Sequence, residues 1–162
     1  MVGAMLAALL TAVVLAPSAH AAPALCTADV IEATLTGAGH ELNEGVNLIR
    51  CGDVTADGAT DVVFTVASGG TAGDTHFGVI QGGADGAGEV VLYKEGYGVG
   101  IARHSRRSFD VLQPYYRATD ANCCPSSFRP TRYTWTGTRF KTKKLKTLKK
   151  APSRFYRDRG RP

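Results

Sequence analysis

The sequence predicts an α+β fold, with one short N-terminal helix on a curved antiparallel β-meander. A small β-barrel or sandwich is the alternative arrangement of the same strands. Three observations predict it. Short runs rich in Val, Ile, Thr and Phe recur from Val46 onward, and such residues fit a pleated, half-buried surface. Most of the 19 glycines fall between Gly37 and Gly100 and punctuate those runs, which favours tight turns over long helices. The connections are short, so neighbouring strands run antiparallel. With 162 residues and 44% hydrophobic content, the chain suits one domain with a real core.

The N-terminus comes first. Met5 to Ala16 is apolar but for Thr11, and Ala19-His20-Ala21 follows. Small residues at the first and third places of that triplet predict a signal peptide over 1–21, cleaved after Ala21, and hence secretion. No Lys or Arg precedes the apolar run, and the run is too short to span a bilayer comfortably. Leu25 directly before Cys26 argues against lipidation, which needs a small residue there.

A single secreted domain is expected over 22–145. Thr27 caps a helix over Ala28–Thr36, with Val30, Ile31 and Leu35 as a weak apolar stripe and Gly37 as its end. Strands are expected at Val46–Arg50, Asp61–Ala67, Thr75–Gln81, Glu89–Lys94, Tyr97–Arg103, Ser108–Leu112, Arg132–Thr136 and Thr138–Lys143. His40 is expected at the surface after the helix. Residues 146–162 are expected to be a disordered basic tail, because their charges repel and they offer little apolar surface.

Four cysteines in an exported chain suggest two disulfides. They are Cys26, Cys51, Cys123 and Cys124. Joining the neighbours Cys123 and Cys124 strains the intervening peptide, so the expected bonds tie Cys26 and Cys51 to that pair, in either order. The Cys-Cys spacing does not suit a zinc knuckle.

The stretch Asp53-Val54-Thr55-Ala56-Asp57-Gly58-Ala59-Thr60-Asp61 carries oxygen-bearing side chains at positions 1, 3, 5 and 9, with Gly at 6. A hard cation such as Ca²⁺ takes six to eight oxygens, and a coiled loop can gather alternate side chains around it. The expected ligands are Asp53, Thr55, Asp57, the carbonyl of Ala59, and Asp61. The expected role is structural.

Asp-x-Thr-x-Asp-Gly-x-x-Asp followed by Val62-Val63-Phe64 resembles the calcium loop and next strand of FG-GAP/VCBS repeats, the integrin α-subunit type. The resemblance implies bound calcium and the same ligand set. Two departures stand out. Thr55 replaces the usual Asp or Asn and removes a charge, and one copy cannot make a propeller. A longer span is similar to small secreted bacterial proteins without assigned activity. Cys51-Gly52-Asp53 through Val63, Ser68–Asp74, and Asn122–Ser126 leading into Arg132–Trp135 carry that likeness. It implies one exported, disulfide-bonded domain.

Weaker signals fill the rest. The glycine-rich loop Ser68–Asp74 lacks the Lys-Ser/Thr of a phosphate loop. Asp74, His76, His104 and Ser105 are the candidates for the alternative function, a small secreted hydrolase, although no Gly-x-Ser-x-Gly elbow occurs. Tyr93, Tyr97, Tyr115, Tyr116, Tyr133 and Trp135 could form an aromatic ligand face. Arg103, Arg106 and Arg107 cluster on one turn.

Charge is uneven. Residues 1–138 hold 8 basic and 13 acidic side chains, while residues 139–162 hold 11 basic and 1 acidic. The basic end suits anionic cell-wall polymers or lipid headgroups, at about 1 kcal/mol per Lys near such a surface. Export makes nucleic acid an unexpected partner. The expected function is a secreted, non-catalytic module with a structural calcium loop and a basic tail on the anionic envelope.

Overall fold

The computed structural model describes residues 25–42, 44–83 and 86–156. The signal peptide expected at 1–21 and the last six residues, 157–162, lie outside the described residues. No helix among the described residues is long and apolar enough to cross a membrane.

Among the described residues one helix, α1 (Ala28–Gly37), precedes eight strands. Ile31 and Leu35 form its buried stripe. Thr27 stands at its N-cap in extended conformation, but its hydroxyl makes no capping bond, contrary to expectation. The strands are β1 (Val46–Gly52), β2 (Asp61–Ala67), β3 (Asp74–Gly82), β4 (Gly88–Glu95), β5 (Gly100–Ser105), β6 (Ser108–Tyr115), β7 (Ser127–Trp135) and β8 (Phe140–Lys144). All pair antiparallel with their sequence neighbours within two four-stranded sheets, β1-β2-β3-β4 and β5-β6-β7-β8. The expected α+β class and meander are found, with the meander divided into two sheets and no closed barrel.

The division follows from where apolar residues point. Successive strand residues face opposite ways. Val62, Phe64, Val66 and Ile80 meet Leu25, Ile31 and Leu35 on the helix side of the first sheet. Val63, Phe77 and Val79 face the other way and pack with Val99, Ile101, Phe109 and Val111 of the second sheet. Strand β2 is therefore buried on both faces, from Asp61 to Val66. Its apolar run in the sequence, interrupted only by Thr65, has this physical cause.

The second sheet is also covered on its outer side. Ala102 and Leu112 are buried there beneath Phe155, with Phe128, Leu148, Ala151 and Tyr156 packed around them. Leu148 and Phe128 exchange backbone hydrogen bonds at 2.9 and 2.7 Å, and a 3-10 turn over Ser153–Phe155 seats Phe155, 2% exposed. Residues 146–156 thus form an ordered strap, which corrects the expected disorder. The few apolar residues of the segment turn inward together, while its lysines remain outside. Gly100 makes room for the strap: a Cβ there would stand 2.7 Å from the Tyr156 ring.

Strand β7 begins five residues earlier than expected. Pro130 obscured it, since proline removes a ladder donor. It is tolerated because the β8 ladder ends next to it, at Thr131↔Lys144, and its carbonyl accepts the Leu145 N–H. The cysteine expectation also fails. Cys26 bonds Cys51 and Cys123 bonds Cys124. Cys51 shares the helix side of β1, where Cys26 sits at the helix entry, whereas Cys123 and Cys124 lie exposed on the β6–β7 loop.

Candidate functional site

The Asp53–Asp61 segment links β1 to β2 across one end of the sheet pair. Asp61, fully buried, is its anchor. The Val54 and Thr55 N–H groups donate to its Oδ2, both at 2.6 Å, and Gly82 N–H donates to Oδ1 at 3.1 Å. Both oxygens therefore face backbone amides. That satisfies a carboxylate that burial would otherwise penalise heavily.

Asp53 and Asp57 stay nearer the surface. Asp53 accepts from the Asp57 and Gly58 amides at 3.1 and 3.2 Å and from Arg106 at 2.6 Å. Asp57 accepts from Ala59 N–H at 2.8 Å and from the Gln81 amide at 2.6 Å. Burial works to raise the Asp53 pKa, but the Arg106 and backbone hydrogen bonds outweigh it and hold it below the ordinary 3.8. The Gln81 hydrogen bond, followed by the Ala59 amide, likewise lowers Asp57. The reversal uses Ala56 at φ 60° and Gly58 at φ 93°. Ala56 holds a left-handed conformation that a non-glycine residue rarely adopts.

Thr55 is the exception to this satisfaction. It is 4% exposed, and its Oγ1 is buried with no hydrogen-bond partner among the described residues. The hydroxyl still lies close enough to help lower Asp57, yet without bonding geometry. A buried hydroxyl without a partner is an unusual expense in a native fold. Among the described residues, no three His, Cys, Asp or Glu groups converge on one point. The loop's oxygens are gathered instead by amides, Arg106 and Gln81. Arg106 and Gln81 were not evident from the sequence, because they lie 53 and 24 residues from their carboxylates.

The loop also joins the two sheets. Arg106 stands on the β5–β6 turn, so its pair with Asp53 crosses from one sheet to the other. Arg50 of β1 reaches the same turn and donates to the carbonyls of Ser105 and Arg106 at 3.0 and 3.1 Å. An open groove of about 710 Å³ runs alongside, with Asp57 and Glu89 as its carboxylates among the described residues.

The hydrolase candidates are not assembled. A bulge between Val66 and Ala67 changes the register on β3. Asp74 then faces the second sheet, where Thr65 and Asn47 donate to it at 2.7 and 3.2 Å. His76 faces the helix side and stacks on Tyr93. His104 and Ser105 lie at the β5–β6 turn, where Ser105 Oγ meets Ser108 Oγ at 2.6 Å. His40, expected at the surface, is half-buried and stacks on the Tyr93 ring at 3.8 Å.

The aromatic residues disperse as well. Tyr133 stacks on Phe109 within the core, and Trp135 packs on Phe140. Tyr97, 44% exposed, meets Tyr116 edge-on, while Arg129 lies over the Tyr115 ring at 3.3 Å. Near them Asp120 ties the β6–β7 loop by accepting from Arg117 N–H, Ser126 N–H and Ser126 Oγ.

The remaining candidate surface is cationic. Arg139, Lys141, Lys143, Lys144, Lys146, Lys149, Lys150 and Arg154 are all exposed along β8 and the strap, and no acidic residue occurs from 139 to 156. No family model matches the chain, and no curated protein and no solved structure matches it.

Proposed function

We propose that this chain is an exported, non-catalytic module that holds to an anionic surface through its C-terminal strap. One observation carries the reading. Eight exposed cations, from Arg139 to Arg154, share a segment without a single acidic residue, and that segment is pinned by Phe155 and Leu148. A pinned array gives up less conformational freedom on binding than a loose tail does. Export is supported by the apolar N-terminal run and by cysteines that are all disulfide-bonded, as suits an oxidising compartment. The partner chemistry is closely spaced negative charge, in wall-polymer phosphates or lipid headgroups.

Sedimentation of the chain beginning at Ala22 tests this reading. It is expected to pellet with anionic vesicles or with phosphate-bearing wall polymer, and to stay in solution with neutral vesicles. Equal behaviour with charged and neutral surfaces contradicts it.

Calcium is proposed as a structural ion of the acidic loop. Asp53, Thr55, Asp57, the Ala59 carbonyl and Asp61 would hold it. The support is the FG-GAP/VCBS-like spacing together with the partnerless, buried Thr55 hydroxyl. Arg106 competes with the ion for Asp53. Thermal melting in Ca²⁺ and in chelator is the test. Calcium at 100 times its dissociation constant adds about 2.7 kcal/mol, and Arg106→Ala enlarges the response. A midpoint indifferent to calcium in both proteins rejects the ion.

A further inference from the structure

We propose that the gap between the edge strands β1 and β5 is a binding site for a small organic anion with an apolar body, an aromatic carboxylate the size of benzoate. The site adjoins the acidic loop through Arg50 and Arg106 but shares none of its proposed calcium ligands, and no strap residue lines it. Its cavity is about 150 Å³, lined by Ile49, Val63, Ile101 and Phe109, with Arg50 and Arg103 among its walls. An enclosed apolar cavity of about that volume accommodates a benzene-sized body; this one is partly open, and Cys51 and the two arginines give its rim a polar character. The two guanidinium groups supply what a carboxylate needs.

The backbone is adapted to this arrangement. β1 bulges between Leu48 and Arg50, so Ile49 and Arg50 both serve the inter-sheet side. β5 bulges just after Arg103, between Arg103 and Ser105. Such bulges re-aim side chains and recur beside ligand sites. Both flank this one cavity.

The charge is left uncompensated. Arg103 makes no ion pair among the described residues, and Arg50 spends only two of its five N–H groups, on the carbonyls of Ser105 and Arg106. Burial, and then the positive charge of Arg103, lower the Arg50 pKa, while Asp61 opposes them. Asp61 itself is already bonded to three amides, and Asp53 is paired with Arg106. Neither carboxylate closes the site, so an anion entering it would relieve the repulsion between Arg50 and Arg103.

Titration of the intact chain with benzoate, followed through the methyl NMR signals of Val63 and Ile101, tests the proposal. Benzyl alcohol supplies the ring without charge, and inorganic phosphate the charge without a ring. The expected result is saturable shifts with benzoate, about tenfold or more weaker with either control or in Arg103→Ala. Arg103 is exposed and unpaired, so this variant keeps the fold; Arg103→Lys is expected to restore part of the affinity. No saturable shift with benzoate overturns the proposal. So does equal binding of benzyl alcohol, which means an apolar cavity only, or equal binding of phosphate, which means surface charge only.

Discussion

Thr55 and Asp61 share one loop and meet opposite fates. Asp61 is buried and fully bonded, whereas the Thr55 hydroxyl is buried and partnerless. Thr55→Val keeps the shape and removes the orphaned oxygen. In chelator it is expected to raise stability by about 1–2 kcal/mol and, by deleting a ligand, to blunt the calcium response. Denaturant melts with and without calcium check both effects. Asp53 and Asp57 give a pH signature. Their pKa values are lowered in the folded chain relative to 3.8, so their stabilisation is present above about pH 4 and is lost as pH falls through the depressed values. Asp57→Asn should flatten that acid limb in melts taken from pH 6 to pH 2.

Strands show how much of the fold was legible. β2 matched its expected bounds, Asp61–Ala67, because an apolar, β-branched run has few other readings. β6 runs past its expected end and β7 starts before its expected beginning because Pro114 and Pro130 interrupt the pattern where the ladder tolerates them. The acidic loop could be located from spacing alone, but its closure by Arg106 and Gln81 depends on the sheets meeting, which no local pattern records. The disulfides failed for the same reason: adjacency in sequence argued against Cys123–Cys124, while the fold carries Cys51 to the helix entry and leaves the other two on a distant loop. The two bonds are expected to differ in weight. Replacing Cys26 and Cys51 by Ser opens a link across 25 residues and costs about 3.5 kcal/mol in the chain-entropy model. Replacing the adjacent pair costs about 1 kcal/mol on the same basis. Urea midpoints of the two double variants decide it. β8 has a second use: Lys141, Lys143 and Lys144 on an edge strand discourage pairing with another chain.

At the scale of the molecule, four layers stack in order: helix, first sheet, second sheet and C-terminal strap. The strap mirrors the helix, since each covers the outer face of one sheet. Composition suggested a loose tail because lysines outnumber apolar residues there, but Leu148 and Phe155 suffice when Ala102 and Leu112 await them. Phe155→Ala is expected to cost about 3 kcal/mol and to release the strap. Gly100→Val should release it without touching a charge, since Phe155 and Tyr156 stand where the side chain would go. Faster proteolysis after the lysines of 146–150 reports that release.

The most direct measurement is the salt dependence of binding to anionic vesicles, for the parent chain and for a variant with Lys143, Lys146, Lys149 and Lys150 changed to Gln. Each contacted phosphate releases counterions, so log affinity falls linearly with log salt. A steep slope in the parent and a clearly shallower one in the variant, at unchanged melting temperature, is the expected result. Identical slopes in the two proteins contradict the account.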